Sequence, residues 1–344
     1  MALAISPAKV GIDLGTANTI VYVEGKRIVC HEPSVVARHS GSGAILAIGR
    51  EAYDMIGRTP KSITIVRPLN DGVIADFEMT AAMLSYFMRA AEVKHFIKPD
   101  VMICVPSGVT PVEQKAVRDA ARLAGAREAY VVEEPFAAAV GAGLPVSDPT
   151  GSMVVDIGGG TTDVATISLN GIVKSTTLRI GGNLMNQAIE QVVKDEHQVL
   201  IGERTAESLK IAIGSASERF AKKYQPMTVC GRDLVTGLPK NITVDPVLLA
   251  RVLAEPIDRI ISAVKTILEE TPPEITSDVI EHGIVLTGGG ALLHNIADVV
   301  AQATKVPVFI ANSPMACVAI GTGKILNDGR ILKKSFKNSK QMRD

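Results

Sequence analysis

The sequence contains the same short pattern twice. The first copy reads G-I-D-L-G-T-A-N-T at residues 11–19, and the second reads D-I-G-G-G-T-T-D at residues 156–163. In each copy, apolar and β-branched residues lead into an aspartate and a glycine-bearing turn, and more β-branched residues follow. This pattern is typical of a strand, a tight turn and a second strand. The copies begin near residues 10 and 153, a separation close to the size of one domain, so the repeat predicts two lobes built on one plan.

The stretches after each copy alternate helical and strand patterns, which favours α/β lobes with mixed sheets. We expect a first lobe over residues 1–150, with a small inserted subdomain at about 33–75. We expect a second lobe over residues 151–320, with an inserted subdomain at about 190–245. Residues 321–344 are expected to return to the first lobe as a helix and to end in a basic tail.

Several local signals support this organisation. Thr110 and Glu113 form a capping-box pattern, with Pro111 at the first helical position. The pair Asn170-Gly171 predicts a two-residue hairpin turn. A long amphipathic pattern after residue 245 predicts a helix with a kink at Pro256.

Both repeated turns have the composition of a phosphate-binding loop, because small residues let backbone N–H groups approach an anion closely. One D-x-G-T turn alone commonly marks nothing but a turn. Three consecutive glycines, however, weaken a strand by about 0.5 to 1 kcal/mol each relative to alanine, and close approach to a ligand explains their presence. We therefore predict that the two turns clamp one polyphosphate. The predicted contacts are Gly15, Thr16, Ala17, Asn18, Gly158, Gly159, Gly160 and Thr161.

Two further features complete the predicted ligand site. Asp13 and Asp156 stand at the strand ends beside the turns, where they are expected to share Mg²⁺, through water because this ion dehydrates reluctantly. A third glycine cluster follows a buried strand and precedes a helix pattern. It could accept the flat face of a base and its ribose, although by itself it could be a tight turn. Its residues are Gly288, Gly289, Gly290 and Ala291.

The order and spacing of the three motifs resemble those of the actin, Hsp70 and sugar-kinase superfamily. Strings between the motifs are similar to those of the MreB-type bacterial actins. They include E-P-S-V-V-A at 32–37, D-G-V-I-A-D at 71–76, E-E-P-F-A-A-A at 133–139, I-G-E-R-T-A-E at 201–207 and L-T-G-G-G-A-L-L at 286–293. The resemblance runs from about Lys9 to Lys324. It implies an actin-like ATPase fold with a nucleotide cleft between the lobes, ATP and Mg²⁺ as cofactors, and a membrane-associated filament that guides cell shape.

The resemblance also implies roles for individual residues. Glu134 matches the carboxylate that orients the attacking water, and Thr161 matches the hydroxyl beside it and the γ-phosphate. A carboxylate at a strand-to-helix corner can accept a hydrogen bond from such a water on chemical grounds as well. Glu133 is a competitor for this role, and a pair of solvated acids is the alternative. Glu207 and Lys210 match adenosine-contacting positions, or form an ordinary surface pair three residues apart.

One segment departs from the family pattern. Where the family usually has G-D-x-M-D, this chain has Gly182-Asn183-Leu184-Met185-Asn186. Two amides therefore replace two acids at a helix N-terminus near the predicted phosphate cleft. We expect this change to affect the metal electrostatics and the rate of hydrolysis, but not nucleotide binding.

Charge and cysteine content limit the classes of partner. The chain has 36 basic and 36 acidic side chains, so no global field attracts nucleic acid. Four separate cysteines without a C-x-x-C pair favour a reducing cytoplasm and no structural metal. No apolar run approaches the roughly 18 to 20 residues that span a bilayer. These features favour a cytoplasmic protein, and the resemblance implies that it is peripheral at the inner face of the cell membrane.

Two weak features favour contact with an anionic membrane. Phe96 and Ile97 lie between basic residues at the position where similar MreB proteins present apolar residues to the bilayer, although both could instead cover the edge of the core. Residues 329–344 carry six basic side chains and one acid, or are simply a solvated terminus. The other expected partners are further copies of the chain in a homopolymer and other cell-shape or membrane proteins.

Two other functions remain open at this point. A small-molecule or sugar kinase would use the same ATP cleft, but it needs an acceptor pocket with its own base, and no obvious second substrate domain is present. An Hsp70-type chaperone would need a carboxyl-terminal peptide-binding domain, which we do not expect here.

Overall fold

The first half of the chain folds around a mixed sheet. The computed structural model describes residues 7–91 and 97–328. The strands are β1 (Lys9–Leu14), β2 (Asn18–Val23), β3 (Arg27–Pro33), β4 (Val36–His39), β5 (Ile45–Ile48), β6 (Ile63–Val66), β7 (Leu69–Asn70), β8 (Val73–Ile74), β9 (Asp100–Val105) and β10 (Glu128–Glu133). The helices are α1 (Arg50–Asp54), α2 (Phe77–Ala90), α3 (Pro111–Leu123) and α4 (Glu134–Ala142). The main sheet has the order β3-β2-β1-β9-β10, and β4 to β6 form a smaller sheet.

The second half repeats this plan. Its strands are β11 (Ser152–Ile157), β12 (Thr162–Ser168), β13 (Gly171–Leu178), β14 (Val199–Leu200), β15 (Met227–Asp233), β16 (Pro239–Val244), β17 (Ile284–Thr287) and β18 (Val308–Ile310). Its helices are α5 (Gly182–His197), α6 (Glu203–Ile213), α7 (Glu218–Ala221), α8 (Pro246–Glu270), α9 (Pro273–His282), α10 (Ile296–Thr304) and α11 (Cys317–Asn327). The main sheet has the order β13-β12-β11-β17-β18, and β14 to β16 form a small sheet.

The two main sheets place the repeated aspartates at equivalent positions. In each sheet, three consecutive antiparallel strands are followed by two strands that run parallel to the first of them. Asp13 pairs with Ile20 across the first hairpin, and Asp156 pairs with Asp163 across the second. Each aspartate is the last residue but one of its strand. The mixed α/β lobes predicted from the repeat are therefore confirmed.

Local predictions agree with the structure in some places and differ in others. The Thr110 capping box is present, with Pro111 opening α3. The turn between β12 and β13 differs from the predicted Asn170-Gly171 turn. Its two central residues are Leu169 and Asn170, with φ of 51° and 61°, and Gly171 already pairs with Ser168. The N–H groups of these two turn residues donate to carbonyls in the connection between the lobes at 146 and 148. That connection thus fixes the turn one residue earlier than expected.

The long helix predicted after residue 245 is α8, which has 25 residues and continues through Pro256. Within the described ranges, neither this helix nor any other combines the length and apolar character needed to cross a membrane. The returning helix is α11, and it begins at Cys317 rather than near residue 321. The basic tail at 329–344 lies outside the described residues.

Helices α4 and α11 join the lobes on one side. A Cβ atom placed on Gly141 of α4 would lie 1.8 Å from the carbonyl oxygen of Cys317, and one on Gly321 of α11 would lie 1.8 Å from that of Ala137. The two helix backbones are therefore in direct contact. An apolar core that includes Phe136, side chains of both main sheets and side chains of α11 surrounds this contact. On this side, the lobes are packed against each other as tightly as elements of one domain.

Candidate functional site

A cavity of about 400 Å³ lies between the two lobes. All but one of the predicted catalytic, nucleotide and metal residues line it. They are Asp13, Gly15, Thr16, Ala17, Asn18, Glu134, Asp156, Gly158, Gly159, Gly160, Thr161, Glu207, Lys210, Gly288, Gly289 and Gly290. The exception is Ala291, which is fully buried and does not line the cavity. The structure thus brings three motifs that are far apart in the sequence to one place.

The two repeated turns pack directly against each other. A Cβ atom on Gly159 would lie 2.5 Å from that of Ala17, and one on Gly160 would lie 2.7 Å from Thr16 Oγ1. Thr16 Oγ1 also accepts a hydrogen bond of 3.0 Å from the Gly72 N–H. Contact between the turns therefore requires glycine at 159 and 160, in addition to any ligand that approaches them. The sequence alone attributed this requirement to a ligand only.

Three carboxyl groups converge beneath the turns. The Cys104 thiol lies between two of them, with Sγ 3.4 Å from Asp13 Oδ1 and 3.7 Å from Glu134 Oε1. The third, Asp156, accepts a hydrogen bond of 2.6 Å from the Thr287 hydroxyl. Cys104 is on β9, the parallel neighbour of β1, and Thr287 is on β17, the parallel neighbour of β11, so the sheet order brings each residue beside its aspartate. Thr287 belongs to the string L-T-G-G-G-A-L-L, whereas no quoted motif contains Cys104.

Burial raises the pKa of all three carboxyl groups. Burial, and secondarily the charge of Asp156, raises the pKa of Asp13 to about 7. Burial raises the pKa of Asp156 to about 6. The pKa of Glu134 lies well above its usual range, because it is buried and lies near the charge of Asp163 and then of Asp13. Such a group of acids needs positive charge to stay ionised, and its hard oxygen donors fit Mg²⁺.

The structure separates the two candidate bases. Glu134 is the first residue of α4, is 7% exposed and lines the same cavity as Thr161. Glu133 is the last residue of β10, and its Oε2 accepts a hydrogen bond of 2.8 Å from the Ser107 hydroxyl. It is not among the residues that line the cavity. The geometry therefore favours Glu134 as the group that faces a ligand.

Asp163 is a residue whose importance the sequence did not reveal. Its Oδ1 accepts hydrogen bonds from the Ser107 N–H at 2.9 Å and from the Thr177 hydroxyl at 2.6 Å. Burial raises the pKa of Asp163 to about 7, and its charge acts on the neighbouring Glu134. The second aspartate of D-I-G-G-G-T-T-D was the available signal. Asp163 connects the second hairpin to the segment after β9 and so helps to position the site.

The start of α5 is joined to the second turn by its backbone. The N–H groups of Gly182 and Asn183 donate to the carbonyls of Gly158 and Gly159 at 3.0 and 2.8 Å. Asn183 lines the cavity. Asn186 is 3% exposed, and its Oδ1 has no hydrogen-bond partner among the residues that the structure describes. An amide at this position avoids burying a charge, which an aspartate would introduce.

Glu207 and Lys210 of α6 line the end of the cavity that the third glycine cluster shares. Lys210 Nζ donates to the Gly182 carbonyl at 2.8 Å, and burial lowers the pKa of Lys210 to about 8. Glu207 Oε2 accepts a hydrogen bond from the Tyr53 hydroxyl. Burial and this bond raise the pKa of Tyr53 to about 12, so the hydroxyl stays protonated and donates. Glu207 and Lys210 thus bond to Tyr53 and Gly182, and they do not form the alternative surface pair with each other.

The third glycine cluster is a 3₁₀ turn (Gly289–Leu292) rather than the start of an α-helix. A Cβ atom on Gly288 would lie 2.3 Å from the Ile157 carbonyl oxygen, so this turn packs on the end of β11. Apolar side chains complete this end of the cavity, and a flat base could lie against them. They are Ile211, Leu292, Leu293, Met315 and Val318.

Of the two predicted membrane residues, Ile97 is half-buried and Phe96 lies outside the described residues. The structure therefore gives no description of this pair as a unit, and its role stays a prediction.

Comparison with known proteins adds an independent finding. A family model described as MreB/Mbl protein matches residues 7–334. The chain is 48% identical to the cell shape-determining protein Mbl of Bacillus cereus over 330 residues, and this stretch covers 95% of this chain and 98% of the relative. It is 50% identical over 321 residues to the cell shape-determining protein MreB of Escherichia coli, 92% of each chain.

A solved structure is also similar. The crystal structure of MreB5 of Spiroplasma citri bound to ADP matches with a TM-score of 0.89 and 37% identity, covering 97% of this chain and 99% of that one. The structure of the same protein bound to AMPPNP matches with a TM-score of 0.87. This similarity confirms the actin-like fold that the sequence predicted.

Proposed function

The chain belongs to the MreB/Mbl family, and we propose that it binds and hydrolyses ATP and polymerises into filaments that govern cell shape. The main support is the cavity between two facing glycine turns, with the buried carboxyl groups of Glu134 and Asp156 and the half-buried one of Asp13 beneath it. The chain is also similar to proteins named for determining cell shape and to MreB5 structures bound to ADP or AMPPNP, and this similarity supports the same function.

Each part of the cavity has a proposed role with ATP. Backbone N–H groups of the turns at 15–18 and 158–161 hold the phosphates. Asp13 and Asp156 would hold Mg²⁺, which would supply positive charge to the site when bound. Glu134 accepts a hydrogen bond from the water that attacks the γ-phosphate, and the Thr161 hydroxyl lies beside it. In hydrolysis the oxygen of this water bonds to the γ-phosphorus, the bond from that phosphorus to the bridging oxygen breaks, ADP leaves, and Glu134 takes up the proton that the water loses.

The sugar-kinase alternative is not favoured. The relatives reported above, which match over nearly their whole length, are named for cell shape. Incubation with ATP and candidate sugars would yield a phosphorylated sugar only for a kinase.

Sedimentation and electron microscopy of the purified protein, with and without Mg-ATP, test the proposed function. We expect ATP to move the protein into the pellet and filaments to be visible in the same samples. The matched control is an equal concentration of Mg²⁺ without nucleotide. Protein that stays in the supernatant under all of these conditions, up to high concentration, would contradict polymerisation.

We further propose that the filaments bind the inner face of the cell membrane, through Phe96 and Ile97 and through the basic residues at 329–344. Burying one large apolar side chain contributes about 1.5 to 3 kcal/mol, and each base near an anionic surface about 1 kcal/mol. A monomer is therefore held weakly, whereas a filament presents many copies at once. Other cell-shape or membrane proteins are proposed partners at the same surface.

Liposome co-sedimentation measures this attachment. We expect binding to require polymerisation and anionic lipid, and to weaken with salt because salt screens the basic tail. The variants are Phe96→Ser with Ile97→Ser, and a chain that ends at Asp328. If both variants pellet with anionic liposomes as well as the unchanged protein does, the membrane proposal is wrong. Neutral liposomes provide the control for non-specific pelleting.

A further inference from the structure

Polar contacts join the two lobes on the side of the cavity away from α4 and α11. The Tyr53 hydroxyl, at the end of α1, donates to Glu207 of α6. The Arg204 guanidinium, also on α6, lies 5.1 Å from the centre of the Tyr53 ring. Arg204 additionally pairs with Asp54 at 3.3 Å. These residues are about 150 positions apart, so only the folded chain brings them together.

A second pair lies beside the first group. The Arg67 guanidinium, which follows β6, forms an ion pair with Glu203 at the start of α6. All of these contacts run from α1 and the residue after β6, in the first lobe, to α6 of the second lobe. We refer to them together as the cross-cleft latch. The latch consists of Tyr53, Asp54, Arg67, Glu203, Arg204 and Glu207.

The latch and the α4–α11 contact differ in strength. The α4–α11 contact is apolar, buried and made between backbones. The ion pairs of the latch are partly exposed, with side-chain exposure of 28% and 36% for Arg67 and Glu203, and of 35% and 54% for Arg204 and Asp54. Partly exposed ion pairs contribute little stability and are screened by salt. If the lobes separate, they therefore separate at the latch.

Glu207 belongs both to the latch and to the cavity. Its side chain lines the 400 Å³ cavity together with Lys210, while one of its oxygens accepts from Tyr53. A carboxylate accepts several hydrogen bonds and donates none when ionised. In a nucleotide, the hydroxyl groups of the sugar are the natural donors to it. Glu203, in contrast, lines an adjoining cavity of about 750 Å³ with Arg67 and does not line the first.

We propose that the cross-cleft latch retains the nucleotide, and that Tyr53 is a positioning residue that holds Glu207 against the sugar hydroxyl groups. This inference rests on the proposed binding of ATP and goes further by assigning its retention to residues outside the three glycine motifs. Closing the latch completes the sugar contact, and a bound sugar in turn favours the closed latch, because coupling between two binding events is reciprocal. Nucleotide dissociation then requires the latch to open.

The dissociation rate of radiolabelled ATP, measured after a chase with unlabelled ATP, tests the latch. Tyr53→Phe removes one hydroxyl and keeps the ring on which Arg204 lies. Because the lost hydrogen bond has a charged acceptor, we expect dissociation to be about tenfold faster, which corresponds to about 1.4 kcal/mol. Tyr86→Phe is the matched control, since Tyr86 is an exposed residue of α2 without a hydrogen-bond partner among the described residues. We expect it to behave as the unchanged protein.

A comparison of two nucleotides separates positioning from general loosening. The unchanged protein should bind ATP more tightly than 2′,3′-dideoxy-ATP, which lacks both sugar hydroxyl groups. Tyr53→Phe should reduce this preference, because Glu207 is no longer held. Arg67→Met should speed dissociation of both nucleotides and keep the preference, because its partner Glu203 does not line the nucleotide cavity. A general loosening would instead give the two variants the same pattern.

The results that contradict the latch differ from those that contradict ATP binding. If the unchanged protein and Tyr53→Phe release ATP at the same rate, or if Tyr53→Phe keeps the full preference for the sugar hydroxyl groups, the latch proposal is wrong and the proposed function stands. If the unchanged protein binds no ATP in the presence of Mg²⁺, the proposed function is wrong and the latch proposal falls with it.

Discussion

Replacing Glu134 by alanine is expected to slow phosphate release from ATP by about 10²- to 10⁴-fold, the usual contribution of one oriented general base. Glu134 lines the cavity at the first position of α4, where its carboxylate can accept from a water aligned with the γ-phosphate. ATP should remain bound and filaments should still form, since assembly depends on the bound nucleotide and not on its hydrolysis. A phosphate-release assay under conditions of full polymerisation measures the effect.

Glu133→Ala is the matched control. It removes the adjacent carboxyl group, which contacts Ser107 and does not line the cavity. Its effect should be much smaller. Glu134→Gln removes the charge and retains the volume, so it should be as slow as the alanine variant if the carboxylate acts as a base. Normal release by Glu134→Ala together with loss in Glu133→Ala would transfer the role to the preceding residue.

Asp13→Ala and Asp156→Ala are each expected to weaken Mg-ATP binding by about 10- to 100-fold, the usual effect of losing a group that acts on a metal through its outer shell. The two aspartates occupy equivalent places in the two hairpins and face one cavity. Burial raises the pKa of both groups, so a bound cation stabilises their charged forms. Calorimetric titration of Mg-ATP measures the affinity.

Titration of ATP in the presence of EDTA provides the control for this pair of variants. Without metal, a buried carboxylate repels the phosphates, so its removal should leave the affinity unchanged or increase it slightly. A loss of equal size with and without Mg²⁺ would indicate damage to the fold of the cleft. Unchanged Mg-ATP affinity in both variants would refute the shared metal site.

The sequence predicted those parts of the site that depend on a continuous stretch of chain. A strand, a glycine turn and a second strand form one local unit, so each hairpin was visible in about ten residues, and its repetition indicated two lobes. The position of Asp13 and of Asp156 near the strand end follows from the same local unit. The capping box at Thr110 is equally local and was also predicted correctly.

Local patterns failed where a distant segment sets the outcome. The hairpin turn after β12 lies at 169–170 because the connection between the lobes accepts its N–H groups. Ala291 shares a glycine-rich string with its neighbours but is buried beneath the cavity surface. Two of the three consecutive glycines are needed partly because the second turn packs on the first. None of these contacts is encoded by spacing along the chain.

The duplicated hairpins, the two lobes and the facing motifs therefore follow from the amino-acid sequence alone. Which of two adjacent acids enters the cavity depends on the folded chain, because Glu133 ends a strand and turns to Ser107 while Glu134 opens a helix. Only the tertiary structure placed Cys104 and Asp163 among the carboxyl groups and Tyr53 on Glu207, a pair separated by 154 positions. The physical reason is that a hairpin is specified by local backbone and turn chemistry, whereas contacts across a cleft are specified by how the two lobes pack.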